Sequence, residues 1–122
     1  MKTTYETGLL GEQAAENWLL KNRNMICLER RYRTKAGEID LIMQEGETIV
    51  FVEVKARKKA DPGIGIFAVD RRKQGRITRA SVLYLMRKEW MNRSVRYDIV
   101  EINHNGIIHI PNAFQPGGMF FG

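Results

Sequence analysis

Glu38, Asp40, Glu53 and Lys55 are the side chains whose type and spacing could do chemistry. They lie in two segments, Gly37-Glu38-Ile39-Asp40-Leu41-Ile42 and Ile49-Val50-Phe51-Val52-Glu53-Val54-Lys55. Both segments are rich in β-branched and aromatic residues and read as strands. Gly46-Glu47 between them fits a two-residue II′ hairpin turn, with glycine supplying the positive φ. That turn puts Glu45 opposite Thr48, Ile42 opposite Phe51, Asp40 opposite Glu53 and Glu38 opposite Lys55. Side chains alternate faces along a strand, so the four charged groups share one face. Two carboxylates directly opposite have Cβ atoms only about 5 Å apart. Such like charges repel, and burial worsens the repulsion. A divalent cation between them converts it into binding. An Asp, then Glu-x-Lys on the next strand, is the arrangement of metal-dependent nucleases.

Hydrolysis of a phosphodiester needs an activated water, neutralised charge on the phosphorus oxygens and a stabilised leaving group. Mg²⁺ suits this work because it takes oxygen ligands and keeps several waters; Mn²⁺ could substitute. The expected ligands are Asp40, Glu53 and the backbone carbonyl of Val54. Lys55 sits about 6.7 Å along the strand from Glu53 on the same face, where it could orient or help deprotonate the attacking water. Glu12 follows Gly8 and Gly11 on the first helix. It could add a third carboxylate and a second metal position. The expected catalytic set is Asp40, Glu53, Lys55 and Glu12. Each also has a plainer reading: a surface pair for Glu53 and Lys55, an edge-strand charge for Asp40, helix surface for Glu12. The register favours the first reading, because it makes the charges converge.

The elements that must position these groups follow from periodicity. From about Thr7 to Lys21, Leu10, Ala14, Ala15, Trp18 and Leu19 form a helical stripe, ended by Asn22 to Asn24. Met25 to Tyr32 reads as a strand, then comes the hairpin, running to about Ala56. Ile39, Leu41 and Met43 should face one side, and Glu38, Asp40 and Ile42 the other. On the partner strand Val50, Val52 and Val54 oppose Ile49, Phe51, Glu53 and Lys55. The active face is thus apolar near the turn and charged at the far end. Residues 57–68, with Asp61-Pro62-Gly63 and Gly65, read as a loop. Asp70 is a cap for a second helix reaching about Met91, with Ile77, Ala80, Leu83, Tyr84 and Trp90 on its apolar side. Val95 to Ile102 is a strand, Asn105-Gly106 a turn and Ile107 to Ile110 a short partner strand. The expected class is α/β, a mixed sheet flanked by helices, with the strands either side of the second helix parallel.

At 122 residues, 43% of them hydrophobic, the chain should form one domain with a real core. Lys and Arg outnumber Asp and Glu 20 to 14, a net charge of +6 and a pI near 9.7. That balance suits a polyanionic partner such as nucleic acid. No apolar run suits a membrane helix or signal peptide, so a cytoplasmic location without membrane association is expected. Cys27 is the single cysteine, which excludes an internal disulfide and a thiolate metal site. His104 and His109 are too isolated for a zinc site. Arg57 and Lys58 lead out of the charged end of the hairpin, and Arg72, Lys73, Arg76 and Arg79 crowd the start of the second helix. Arg72, Arg76 and Arg79 make one basic stripe, read as a phosphate-binding wall. The apolar tail from residue 110 to 122, with Met119, Phe120 and Phe121, either folds back or docks.

Across nearly the whole chain, ordered motifs carry a resemblance. They are Gly8-x-x-Gly11-Glu12-x-x-Ala15, Gly37-Glu38-Ile39-Asp40-Leu41-Ile42, Val50-Phe51-Val52-Glu53-Val54-Lys55-x-Arg57, Ala68-Val69-x-x-x-Lys73-x-x-Arg76-Ile77 and Arg96-Tyr97-Asp98-Ile99-Val100. Together they resemble the bacterial YraN family of inferred endonucleases. That family has the PD-(D/E)XK nuclease-like, restriction-endonuclease-like αβββαβ core, and is similar to archaeal Holliday-junction resolvases. The resemblance implies that Asp40, Glu53 and Lys55 are the signature triad and Glu12 the helix-borne acid. It also implies action on DNA, selectivity for branched structures, and a homodimer, since a four-way junction offers two symmetric strands. The alternative is a non-catalytic nucleic-acid-binding protein with a vestigial metal site.

Overall fold

The hairpin closes as its turn chemistry requires. In the computed structural model, which describes residues 4–56 and 69–116, Gly46 has φ +59° while Glu47 is not among the positive-φ residues. A I′ turn needs both, so the II′ turn holds. The pairs Glu45–Thr48, Gln44–Ile49, Met43–Val50, Ile42–Phe51 and Leu41–Val52 follow. This is the register expected from the turn alone.

The element order is α1 (Thr4–Arg23), β1 (Ile26–Arg33), β2 (Glu38–Glu45), β3 (Thr48–Ala56), α2 (Arg71–Lys88), β4 (Val95–Asn103) and β5 (Gly106–Ile110). The sheet order is β1-β2-β3-β4-β5. All neighbours are antiparallel except β3 and β4, which run parallel across the α2 crossover. This mixed sheet with two helices is the expected α/β class, consistent with a nuclease-like αβββαβ core extended by β5.

Period-2 alternation feeds two cores. Ile42, Ile49, Phe51, Tyr97 and Ile99 pack with Ile77, Ala80, Tyr84 and Leu85 of α2. Leu41, Met43, Val50, Val52 and Val100 pack with Ala15 and Leu19 of α1. Burying each large aliphatic side chain contributes about 1.5–3 kcal/mol, so each helix is fixed by its own set of sheet residues. Ile39 departs from expectation. It joins the α2-side core rather than Leu41 and Met43. The pairs Arg30–Leu41 and Tyr32–Ile39 bracket Arg31, which has φ +48°. This left-handed residue breaks the pleat, so the facing strands change phase across it.

The helices differ from the periodicity reading in rotation and length. Leu10 and Leu83 are exposed, whereas Glu16, Thr78 and Ser81 are buried. Asp70 does cap α2, accepting from the Lys73 N–H at 2.9 Å. The helix stops at Lys88, short of Met91, because Glu89 turns left-handed at φ 61° and donates its N–H to Leu85 and Met86 carbonyls. The β4–β5 turn is His104-Asn105, with Gly106 already paired to Asn103, one residue earlier than expected. Ala113 and Phe114 fold back onto the α2-side core, Phe114 stacking on Tyr97 at 5.2 Å. Met119, Phe120 and Phe121 lie outside the described residues, as do Arg57 and Lys58.

Candidate active site

The β2–β3 ladder ends at Leu41–Val52. Its next hydrogen-bonded pair would be Ile39–Val54. Instead the Val54 N–H donates to Asp40 Oδ2 at 2.8 Å. A side chain thus takes the place of a backbone acceptor, and the end of the hairpin carries the Asp40 carboxyl. Val54 is held to the site through this N–H. Beyond this point the backbone pairing that would set Glu38 opposite Lys55 is not formed, and Glu38 pairs with Arg33 across β1 and β2 at 2.6 Å.

Asp40 and Glu53 do meet. Burial, then a hydrogen bond to the Glu53 carboxylate and its charge, push the Asp40 carboxyl up to about 8; the Val54 N–H and the Lys73 charge oppose this only in part. Glu53 is 6% exposed, and its buried Oε2 has no hydrogen-bond partner. Lys73 Nζ lies 3.2 Å from that oxygen, within ion-pair reach but outside hydrogen-bond geometry. Burial, and after it the neighbouring Lys73, hold the Lys55 ammonium below the usual lysine range. Lys73 moves the other way: burial opposes its charge, but Lys55, Glu53 and Asp40 outweigh burial and raise it. The cluster is therefore two acids side by side, one lysine whose ammonium is disfavoured relative to a free lysine and one whose ammonium is favoured.

Sequence reasoning placed Lys73 with the outer basic wall, and the structure turns it inward. The signal was present, since Lys73 sits one helical turn before Ile77 on the stripe that continues to Ala80 and Tyr84. Gly37 helps bring α2 this close. A Cβ there would lie 3.1 Å from Arg76 Cβ and 3.5 Å from the Arg76 carbonyl oxygen. Arg72, Arg76 and Arg79 remain on the exposed side of α2.

Glu12 stands beside the pair without joining it. Its carboxylate is gripped by Arg31 Nε and Nη2 at 2.8 and 3.2 Å. Burial raises its pKa, Arg31 opposes this, and the Asp40 charge adds to the rise. Glu16, which sequence reasoning missed, holds Arg30 by two bonds of 2.7 Å. Among the described residues no group of three or more His, Cys, Asp or Glu side chains could hold a metal ion. Two carboxylates are nevertheless the usual protein share for Mg²⁺, which takes its other ligands from water and phosphate. The all-oxygen donor pair, its mutual repulsion and a buried Glu53 Oε2 that has an ion pair but no hydrogen bond fit such a hard cation.

A second buried cluster lies on the α1 side of β4 and β5. Asp98 accepts from Arg96 twice at 2.9 Å and from the Asn112 N–H at 2.9 Å, and meets His109 Nε2 at 2.7 Å. Burial works against its ionisation, but His109, Arg96 and Asn112 prevail and hold it below the usual carboxylate range. Arg23 donates to His109 Nδ1 at 3.2 Å, so His109 is structural and no metal ligand. Among the described residues, no helix is long and apolar enough to cross a membrane.

The family described as "Uncharacterised protein family UPF0102" matches residues 11–102, a span holding Glu12, Asp40, Glu53, Lys55 and Lys73. A UPF0102 protein of Dictyoglomus thermophilum is 43% identical over 97 residues, covering 80% of this chain and 81% of its own. One of Geobacter metallireducens is 39% identical over 112 residues, covering 88% and 91%. One of Ectopseudomonas mendocina is 34% identical over 119 residues, covering 94% and 99%. A solved chain titled "Crystal structure of SSO0001" aligns with TM-score 0.49 and 15% identity over 93% of this chain and 53% of that chain, so this chain spans about half its length. The chain belongs to the UPF0102 family, the YraN-type group.

Proposed function

We propose that this chain is a Mg²⁺-dependent endonuclease that hydrolyses phosphodiester bonds in DNA, with a preference for branched or junction structures. The observation that carries this reading is the close, mutually repelling pair of half-buried Asp40 and buried Glu53 at the end of the hairpin, with two lysines against it. An acid pair so close that one carboxyl rises to about 8 is costly to the fold once both are ionised. A cation-binding role gives that cost a purpose.

Asp40 and Glu53 would hold the ion, with the Val54 N–H keeping the Asp40 carboxylate aimed. When bound, Mg²⁺ supplies Lewis acidity at a phosphoryl oxygen and a lowered pKa for a water. Lys55, whose ammonium is less favoured than usual, would orient or help deprotonate the water as its oxygen bonds to phosphorus and the ester P–O bond breaks, the leaving oxygen taking a proton from solvent. Exposed Arg72 and Arg76 on α2 suit the flanking phosphates. Among the described residues nothing at this face offers a base-reading pattern, which supports recognition by shape and phosphate. On a four-way junction, two such sites would be supplied by a homodimer.

The test is cleavage of linear, flap and four-way-junction DNA with Mg²⁺, Mn²⁺ or EDTA. Metal-dependent cutting that Asp40→Asn and Glu53→Gln abolish supports the reading. Full activity in either variant, or binding without cutting under every metal, overturns it, the latter in favour of a DNA-binding protein with a vestigial site.

A further inference from the structure

The Asp40–Glu53 pocket already has a cation of its own. Lys73 Nζ sits 3.2 Å from Glu53 Oε2, and Glu53 is 6% exposed. Lys73 itself is 37% exposed at its side chain. One end of this ion pair is therefore fixed in the protein, and the other rides on a four-carbon stem with access to solvent. The contact lacks hydrogen-bond geometry at Oε2, so it is held by charge and position rather than by directional bonding.

We infer that Lys73 is a tethered competitor for the divalent cation: it engages Glu53 while the pocket holds no metal, and a metal ion must displace it to bind. This rests on the proposed metal site and deepens it. A divalent ion joining Asp40 and Glu53 with Lys73 still in place would set two cations within a few ångströms, an unfavourable contact in a half-buried site. The flexible stem lets the ammonium leave at small cost. It then stands at the mouth of the pocket, on the same helix as Arg72 and Arg76. There it adds positive charge for an incoming phosphodiester. Metal binding thus exposes a phosphate-binding group, and by linkage a bound polyanion tightens the metal. Lys73 is in this sense a positioning residue that sets metal affinity, distinct from Lys55, whose proposed role is at the attacking water.

Titration calorimetry with Mn²⁺ alone, without DNA, tests this on the full chain. Lys73→Met and Lys73→Gln should bind Mn²⁺ about tenfold more tightly than wild type, the size expected for removing one adjacent charge in a partly screened site. Lys73→Arg keeps the charge and should stay within about twofold of wild type. Lys21→Gln removes an equal charge from the exposed last turn of α1 and should change nothing. Unchanged or weaker Mn²⁺ binding by both neutral Lys73 variants, with Asp40→Asn abolishing it, overturns the competitor role and leaves the metal site standing. Mn²⁺ binding indifferent to Asp40→Asn, or absent from every protein, overturns the metal site and the competitor role together.

Discussion

Asp40→Asn should make the metal-free protein more stable at alkaline pH. Asparagine has the same shape, can still accept from the Val54 N–H, and can donate to Glu53, so the bond at 2.8 Å and the contact across the hairpin survive. What disappears is the charge. The wild-type carboxyl is raised from 3.8 to about 8 in the fold. Between those values the unfolded chain has lost its proton while the folded chain keeps it. The folded state therefore binds more protons, and stability falls as pH rises. Raising a carboxyl's pKa by one costs its ionised form about 1.36 kcal/mol, so the whole rise at Asp40 sets an upper bound of about 5–6 kcal/mol. Sharing of the proton with Glu53 and relaxation of the pocket lower the expected loss to about 2–4 kcal/mol. The assay is urea unfolding in EDTA from pH 5 to pH 9. The stability of Asp40→Asn minus that of wild type should increase by that amount across the range. Asp98, held below the usual carboxylate range by its own partners, is common to both proteins and cancels in the difference; Glu12, raised in part by the Asp40 charge, is raised less in the variant and so adds to the difference with the same sign. Adding Mg²⁺ at pH 8 should restore stability to wild type and leave the variant unchanged. A difference that stays flat with pH, or falls, would refute the buried repelling pair.

Three further outcomes follow from the same geometry. Asp98→Asn should cost about 3 kcal/mol at pH 7 by urea unfolding, because it takes the anion from the buried His109 and leaves half-buried Arg96 with Glu45 alone; in wild type this stability is present above the unfolded carboxylate pKa and is lost as pH falls through the depressed folded value, and a variant within experimental error of wild type would show the network to be dispensable. Gly37→Ala should lower thermal stability by about 1–3 kcal/mol through overpacking against Arg76, and an unchanged melting temperature would mean α2 can retreat freely. Arg72→Ala combined with Arg76→Ala should weaken DNA binding across all sequences and reduce the slope of log affinity against log salt by about 0.9 per lost phosphate contact; an unaltered slope would place the DNA on another face.

The hairpin and its acid pair were legible in the sequence because both depend on local rules. A two-residue turn dictates register, and period-2 alternation dictates face, so Gly46 and the spacing of Asp40 and Glu53 were enough to bring the two carboxylates together. The parallel β3–β4 pairing was legible too, since a helix of this length between two strands leaves one favoured crossover. Tertiary structure decided what depends on how a helix rolls against the sheet. Periodicity names an apolar stripe but leaves its rotation open by tens of degrees, which is why Leu10 and Leu83 lie outside while Glu16 and Thr78 lie inside. The same rotation, allowed by the bare backbone of Gly37 against Arg76, swings Lys73 onto Glu53 and away from the outer stripe. Arg31 shows the converse case: its left-handed backbone shifts the pleat, sends Ile39 to the α2 side and gives Glu12 a guanidinium partner. Local backbone geometry sets which residues within one hairpin meet, whereas the charges contributed by different elements meet only where packing of whole helices against the sheet brings them.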